Sequence, residues 1–330
     1  MSFDLILPFL RPIAHLIQDP DVSEIMVNAG GRVFLERAGI LSEATGLHLE
    51  ERNLQVAVRN IARTLGDDVS EEQPILDARL PDGSRVAAVI PPCSLGGTTL
   101  TIRKFQSRFF TAAELVKAGT LAQAVLDEIH VAIDTRQNIL ISGGTSTGKT
   151  TLLNALVAFL PTGDRVIVIE DTAELRVDRP NVVRFEARRA QRDRPAVAIR
   201  DLLKATLRHR PDRILVGEVR GGEAYDLLQA LNTGHAGSLS TIHANSASQA
   251  LARIASCALQ SGVEIPYAAM RLQIAEAIGC VVHLGRTRGR RLVEQCVFVR
   301  GYDVAKDTYE LSVAEANASC SRGGRCESKE

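Results

Sequence analysis

The sequence predicts an α/β fold, a doubly wound and mostly parallel sheet preceded by a smaller α+β domain. Three observations predict it. From Asn138 onward short apolar runs alternate with segments of helical period, the pattern of β/α units. The first such unit, Asn138 to Thr151 (NILISGGTSTGKTT), passes from an apolar strand through a glycine turn into a helix. Before residue 107, strands and turn residues surround one amphipathic helix. Length agrees, since 330 residues at roughly 150 per domain suggest two domains.

Taken in order, Asp21–Asn28, the turn Ala29–Gly31 and Arg32–Glu36 read as strand, turn, strand, with Gly39 closing a second turn. Leu49–Leu65 carries apolar residues at 54, 56, 58, 61, 62 and 65 and stops at Gly66, an amphipathic helix. Ile75–Leu80 and Arg85–Ile90 flank Pro81-Asp82-Gly83-Ser84, a hairpin with turn chemistry, and Thr98–Phe105 is a further strand. Helices at Ala112–Lys117 and Leu121–Ile133 lead to the strand before the glycine turn. Beyond it, strands at Arg165–Ile169, Arg213–Val216 and Gly237–Ile242 alternate with helices at Val197–Arg208, Glu223–Leu231, Ala247–Leu259 and Tyr267–Ile278. Cys280–Leu284 and Leu292–Arg300 are strands around the basic turn Arg286–Arg291. The division expected is an N-terminal domain over 1–107, a linker over 108–120, a second domain over 121–311 and a disordered tail over 312–330, where the apolar pattern stops.

Composition excludes several classes. Lys+Arg and Asp+Glu are 39 each and aromatic residues only 4%, so neither a global basic field nor a set of stacking rings argues for nucleic-acid binding, and no sequence-specific contact is expected. No apolar run is long enough to span a membrane. The opening FDLILPFLRPIAHLI lacks a basic start and is broken by Pro8 and Pro12, so it reads as a core or interface helix, with weak membrane-surface contact as the alternative. The 6 cysteines, at 93, 257, 280, 296, 320 and 326, form no C-x-x-C pair, which disfavours zinc and suits reduced thiols in the cytoplasm.

Gly143 to Thr150 is the G-x-x-x-x-G-K-[ST] phosphate loop. Its chemistry explains its residues. Gly143, Gly144, Thr145, Ser146, Thr147 and Gly148 offer backbone N–H groups to a phosphate, and the helix N-terminus beginning with Lys149, Thr150 and Thr151 adds positive potential. Lys149 brings a charge to the β/γ oxygens, and Thr150 can hold Mg²⁺. ATP and Mg²⁺ are the ligands expected. Ligands of such sheets sit at the carboxyl ends of the strands, and Glu170/Asp171, Glu218 and His243 each follow an apolar strand there. Phosphoryl transfer to water needs a residue orienting the nucleophile and a metal shell. Glu170, with Asp171 beside it, is the candidate for the first, and Glu218 for the second, directly or through water; the two roles are exchangeable, and either carboxylate can instead cap a turn. Many phosphate-loop enzymes carry Asp then Glu at the end of the third strand, whereas Gly217 precedes Glu218 here, which leaves direct coordination open. His243 is a candidate γ-phosphate sensor and His235, in the turn Thr233-Gly234-His235, a candidate brace for the loop; packing or capping is the alternative for both.

These segments, with VIVIEDTAEL (166–175), the block 202–245, LPDGSRVAAVIPP (80–92) and TIRKF (101–105), resemble the secretion traffic ATPases, and among them the TrbB-type ATPases of conjugal-transfer type IV secretion. The resemblance implies a RecA-like ATPase domain in which Gly143–Thr150 is Walker A, Glu170/Asp171 the acidic box, Glu218 the Walker B glutamate, and His235 and His243 the histidine box. It further implies a cytoplasmic homohexameric ring, peripheral to the inner membrane, that works with platform and coupling proteins to power pilus assembly or substrate transfer. Arg85 and Arg103 stand where the family's N-terminal domain supplies arginines to the nucleotide, and Arg220 is another interface candidate. A tight-adherence or type IV pilus ATPase is the nearest alternative. A RecA-type DNA-translocating motor, which predicts stimulation by DNA with steep salt dependence, and a nonhydrolytic nucleotide-dependent scaffold are alternatives of other classes.

Overall fold

The computed structural model describes residues 6–314 apart from residues 38, 106–108, 189, 191–194 and 288–289. The chain divides into two compact units, residues 1–108 and 109–330.

In the first unit the proline-broken opening does not form one helix. Leu7–Phe9 and Arg11–Ile13 are 3₁₀ turns, each with proline in its first positions, and α1 covers only Ala14–Gln18. Ile6, Leu10, Ile13, Leu16 and Ile17 are nevertheless buried in one core with Leu54, Val58 and Ile61 of α2 (Glu51–Thr64), so this stretch packs inside the unit. β1 (Val22–Val27), β2 (Arg32–Arg37), β3 (Ile40–His48), β4 (Ile75–Arg79), β5 (Arg85–Val89) and β6 (Thr99–Arg103) form a six-stranded antiparallel sheet ordered β3-β2-β1-β6-β5-β4. β3 was not expected from the sequence. It is an edge strand exposed along most of its length, so it carries no alternation to read.

The second unit holds α3 (Ala112–Lys117), α4 (Gln123–Asp134), β7 (Ile139–Gly143), α5 (Lys149–Val157), β8 (Val166–Glu170), β9 (Val182–Glu186), α6 (Ile199–Thr206), β10 (Arg213–Val219), α7 (Glu223–Asn232), β11 (Leu239–Ile242), α8 (Ala247–Leu259), α9 (Tyr267–Ala277), β12 (Cys280–Thr287), β13 (Arg290–Asp303) and β14 (Thr308–Val313). Its sheet is eight-stranded, ordered β14-β13-β12-β7-β11-β10-β8-β9. The strands from β12 to β9 run parallel, and β13 and β14 return antiparallel at one edge. The expected mostly parallel α/β sheet is therefore present.

Parallel strands covered on both faces need continuous apolar runs, and residues 139–141 of β7, 166–169 of β8 and 214–216 of β10 supply them. Ile139, Ile141, Val168, Leu215 and Val282 point into a core with α4 and α5, while Leu140, Ile169, Val216, Ile242 and Val281 point into a second core with α6, α7, α8 and α9. Asn138 pins the sheet's amino end: its Oδ1 accepts the N–H groups of Gly237 (2.8 Å) and Ser238 (3.0 Å), and its Nδ2 donates to Ala277 O (2.6 Å). β9 and β14 were not foreseen, being short strands of mixed polarity at the two edges. Of the segment expected to be a disordered tail, residues 312 and 313 end β14, and residues 315–330 lie outside the described residues. Cys93, Cys257, Cys280 and Cys296 are free thiols.

Candidate nucleotide site

Gly143 closes β7 with φ 156°, and a Cβ there would stand 2.5 Å from both Leu284 O and Thr147 Oγ1. Only glycine lets the chain leave the strand so close to β12. The turn continues through Ser146, a non-glycine at φ 57°, and Gly148 at φ 97°, which caps α5. A serine in the left-handed region costs energy that turns at functional sites commonly carry. Thr145 and Ser146 are exposed, Thr147 is buried with its hydroxyl donating to Gly144 O (3.0 Å), and Thr150 and Thr151 are half-buried in the first turn of α5. Lys149 reaches back over the loop. Its ammonium, on a residue only 8% exposed, donates to Gly143 O (3.0 Å) and Gly144 O (2.8 Å) and lies 3.4 Å from both ring nitrogens of His243.

His243 stands just past β11, and its Nε2 lies 2.6 Å from Oε1 of Glu218 on β10. Burial first, and then the Lys149 charge, hold its pKa below the ordinary imidazole value despite the attraction of Glu218, so the ring is neutral at pH 7. The other oxygen of Glu218, Oε2, accepts from Arg220 Nη2 (2.6 Å) and Nε (2.9 Å), and Arg220 Nη1 also meets Asp171 Oδ2 (3.1 Å). Lys149, His243, Glu218, Arg220 and Asp171 thus form one continuous chain of contacts across the carboxyl ends of β7, β11, β10 and β8.

Glu170 ends β8 and is 3% exposed. Its Oε1 accepts the N–H groups of Glu174 and Leu175, both at 2.9 Å. Burial nevertheless dominates and pushes its pKa up to about 7, so the carboxyl is poised to exchange a proton near neutral pH. Gly217 makes room for it. A Cβ at 217 would sit 2.9 Å from Glu170 Cγ and 3.5 Å from its Oε1. The glycine that departs from the Asp-Glu pattern is the space into which the β8 carboxylate packs.

The donor set suits Mg²⁺. Glu218 Oε1 is buried without a well-directed hydrogen bond, although His243 approaches it closely. A carboxylate oxygen with coordinating capacity to spare and the Thr150 hydroxyl are hard oxygen donors, the kind this ion takes.

Residues 10–327 match the family described as type II/IV secretion system protein. The chain belongs to that family. Among its relatives, the conjugal transfer protein TrbB of Rhizobium radiobacter is 37% identical over 290 residues, covering 87% of this chain and 86% of that protein. The type IV secretion system protein PtlH of Bordetella pertussis is 35% identical over 328 residues, covering 89% of this chain and 94% of that protein. The X-ray structure of the Legionella pneumophila ATPase DotB shares the fold, with a TM-score of 0.62 at 21% identity over 97% of this chain and 84% of that one. The pilus retraction motor PilT with bound ADP shares it too, at a TM-score of 0.59 and 20% identity over 94% of this chain and 83% of that one. The resemblance to secretion traffic ATPases of conjugal-transfer type is borne out by the family match and by the TrbB and PtlH relatives.

Within this secretion-family chain, His235 is not brought to the loop it was expected to brace. It precedes β11, its Nδ1 lies 3.1 Å from Pro211 O ahead of β10, and Ser238 Oγ donates to its carbonyl (2.8 Å). It holds the amino end of the sheet, whereas the phosphate loop is at the carboxyl end. Arg85 and Arg103 belong to the first unit, where they face each other across β5 and β6, with Arg85 Nη2 3.5 Å from Asp77 Oδ1. Three residues around the site escaped sequence reasoning. Ser142 and His283 meet behind the loop at 2.9 Å, and Gln295 caps α8. A histidine inside the apolar run VVHL was the available signal for His283; Gln295 has none.

Proposed function

We propose that the chain is a Mg²⁺-dependent ATPase that hydrolyses ATP at residues 143–151 and so powers a type IV secretion or conjugation machine. The observation that carries this reading is the linked set Lys149, His243 and Glu218, with contacts of 2.6 to 3.4 Å, at the mouth of the loop. Lys149 exchanges its loop carbonyls for the β/γ oxygens, and the N–H groups of the loop and α5 hold the phosphates. Glu170, half ionised near pH 7, orients the attacking water and takes its proton as the water oxygen bonds to the γ-phosphorus and the bridging P–O bond to ADP breaks. His243, neutral and so with a single N–H to give, turns that N–H from Glu218 to the γ-phosphate when ATP is bound. Mg²⁺, held by Thr150 and by Glu218 directly or through water, would neutralise the charge that develops on the phosphates.

Arg85 and Arg103 are assigned to the nucleotide of a neighbouring subunit, supplied in trans. An arginine supplied in trans is worth roughly 10³ to 10⁵ in rate, so a homohexameric ring is the active form. Relatives named for conjugal transfer and type IV secretion support pilus assembly or substrate transfer as the work done. Among the described residues no helix is long and apolar enough to cross a membrane. The ring is assigned to the cytoplasm, bound peripherally to inner-membrane platform and coupling proteins.

The test is steady-state Mg-ATP hydrolysis per subunit against subunit concentration, with Lys149→Ala as control. A specific rate that climbs to a plateau and is lost in the control supports the reading. A rate that stays flat where native mass gives monomer withdraws the ring and the trans arginines, and no rate above the control withdraws the ATPase.

A further inference from the structure

We propose that His283 and Gln295 are positioning residues that set the contact between Lys149 and His243; the proposal rests on the ATPase reading above. β12 lies beside β7 on the side away from β11, with His283 level with Ser142 and Leu284 level with Gly143. His283 is 4% exposed and its Nδ1 is 2.9 Å from the hydroxyl of Ser142, which is fully buried. Ser142 immediately precedes Gly143, whose carbonyl accepts the Lys149 ammonium at 3.0 Å. The same peptide is flanked on the backbone side, where Leu284 is the register partner of Gly143 and its carbonyl oxygen lies 2.5 Å from where a Cβ of residue 143 would stand. β12 therefore fixes the first peptide of the loop twice, and with it the seat of Lys149.

Across the hairpin, Gln295 of β13 is the register partner of His283. Its Oε1 accepts the N–H of Ala247 at 2.8 Å, at the start of α8. The chain enters α8 from His243 through Ala244, Asn245 and Ser246. The pairing depends on a bulge. Between His283 and Leu284 the register slips past Glu294, whose carboxylate lies against Gly285, where a Cβ would stand 2.0 Å from it, and accepts from Thr287 Oγ1 (3.0 Å). The slip places Gln295 opposite His283, so that one pair of cross-strand neighbours holds both partners of the 3.4 Å Lys149 to His243 contact, one through Ser142 and the other through Ala247. Burial keeps the His283 ring neutral, so Nδ1 has a single hydrogen-bonding role, which Ser142 answers. Neither residue is assigned a contact with nucleotide. They act through the two that are.

The experiment compares Gln295→Ala, His283→Leu and His283→Asn in the full chain, alone and on a His243→Ala background, measuring kcat, KM for ATP, ADP affinity and Tm. Gln295 is exposed, so its truncation leaves the core intact. Gln295→Ala and His283→Leu are expected to lower kcat about tenfold, less than the roughly 10²-fold that a 1 Å misplacement can cost; ADP affinity stays within about twofold in Gln295→Ala, because ADP lacks the γ-phosphate that His243 meets, and weakens in His283→Leu, because Lys149 also meets the β-phosphate. His283→Asn, whose amide can take the place of Nδ1, restores most of the rate. On the His243→Ala background, Gln295→Ala costs no further rate. Wild-type kcat in Gln295→Ala, or a loss that multiplies with that of His243→Ala, overturns the proposal alone. Absence of hydrolysis by the unmodified chain overturns the ATPase reading with it.

Discussion

Replacing Glu170 by Gln should make the chain more stable at alkaline pH and nearly inactive. Burial raises the Glu170 carboxyl from 4.5 to about 7 in the folded chain. Between those values the folded state holds a proton that the unfolded state has released, so this carboxyl favours folding most below 4.5, and the advantage is lost as pH rises through about 7. At about 1.4 kcal/mol per pH unit the span is worth about 3 kcal/mol. Gln carries no charge to desolvate and keeps an oxygen for the N–H groups of Glu174 and Leu175. Glu170→Gln is therefore expected to match the unmodified chain near pH 4.5 and to exceed it by up to about 3 kcal/mol at pH 8.5. For a unit of this size that is roughly 6 to 12 °C in Tm. Hydrolysis should fall by about 10² or more, the usual contribution of a positioned base. Thermal melts at pH 5 and 8.5, run beside a hydrolysis assay, measure both. An equal Tm difference at the two pH values would refute the buried-carboxylate reasoning, and a rate above one tenth of normal would remove Glu170 from the reaction.

Gly217→Ala should cost about 1–3 kcal/mol of stability by overpacking and lower kcat by roughly ten- to a hundredfold, since the new Cβ would fall 2.9 Å from Glu170 Cγ; unchanged kcat sinks the link between these residues. Arg220→Ala releases Glu218 Oε2 from its 2.6 and 2.9 Å contacts, so hydrolysis should drop about tenfold while the Mg²⁺ requirement moves to lower concentration, read by titrating the ion. Arg213→Met should destabilise by about 3 kcal/mol, the low end for a broken buried pair. Arg213, 1% exposed, holds Asp164 at 2.6 Å, but Arg136 at 3.2 Å from the same carboxylate remains; denaturant melts give the loss, and kcat at a permissive temperature should stay near normal.

The phosphate loop was legible because its chemistry needs fixed residue types in an unbroken run, and Glu170, Glu218 and His243 were legible because each follows an apolar strand. What stayed hidden depends on neighbours remote in sequence. Gly217 read as a departure from a pattern until β8 was set beside β10, when it became the space that Glu170 fills. β3, β9 and β14 were hidden for another reason: edge strands of mixed exposure have no periodicity to show. His235 teaches the most. It lies eight residues before His243 and reads as part of the same box, yet the strand Leu239–Ile242 runs between them from one end of the sheet to the other. In a parallel sheet every strand points the same way, so a polar group after a strand reaches the ligand end, and one before it reaches the frame. Asn138, Asp164, Arg213 and His235 stand before or at the start of their strands, and the contacts of each tie the sheet's amino end together. By that rule a variant at His235 should act first on stability, whereas one at His243 should act on turnover.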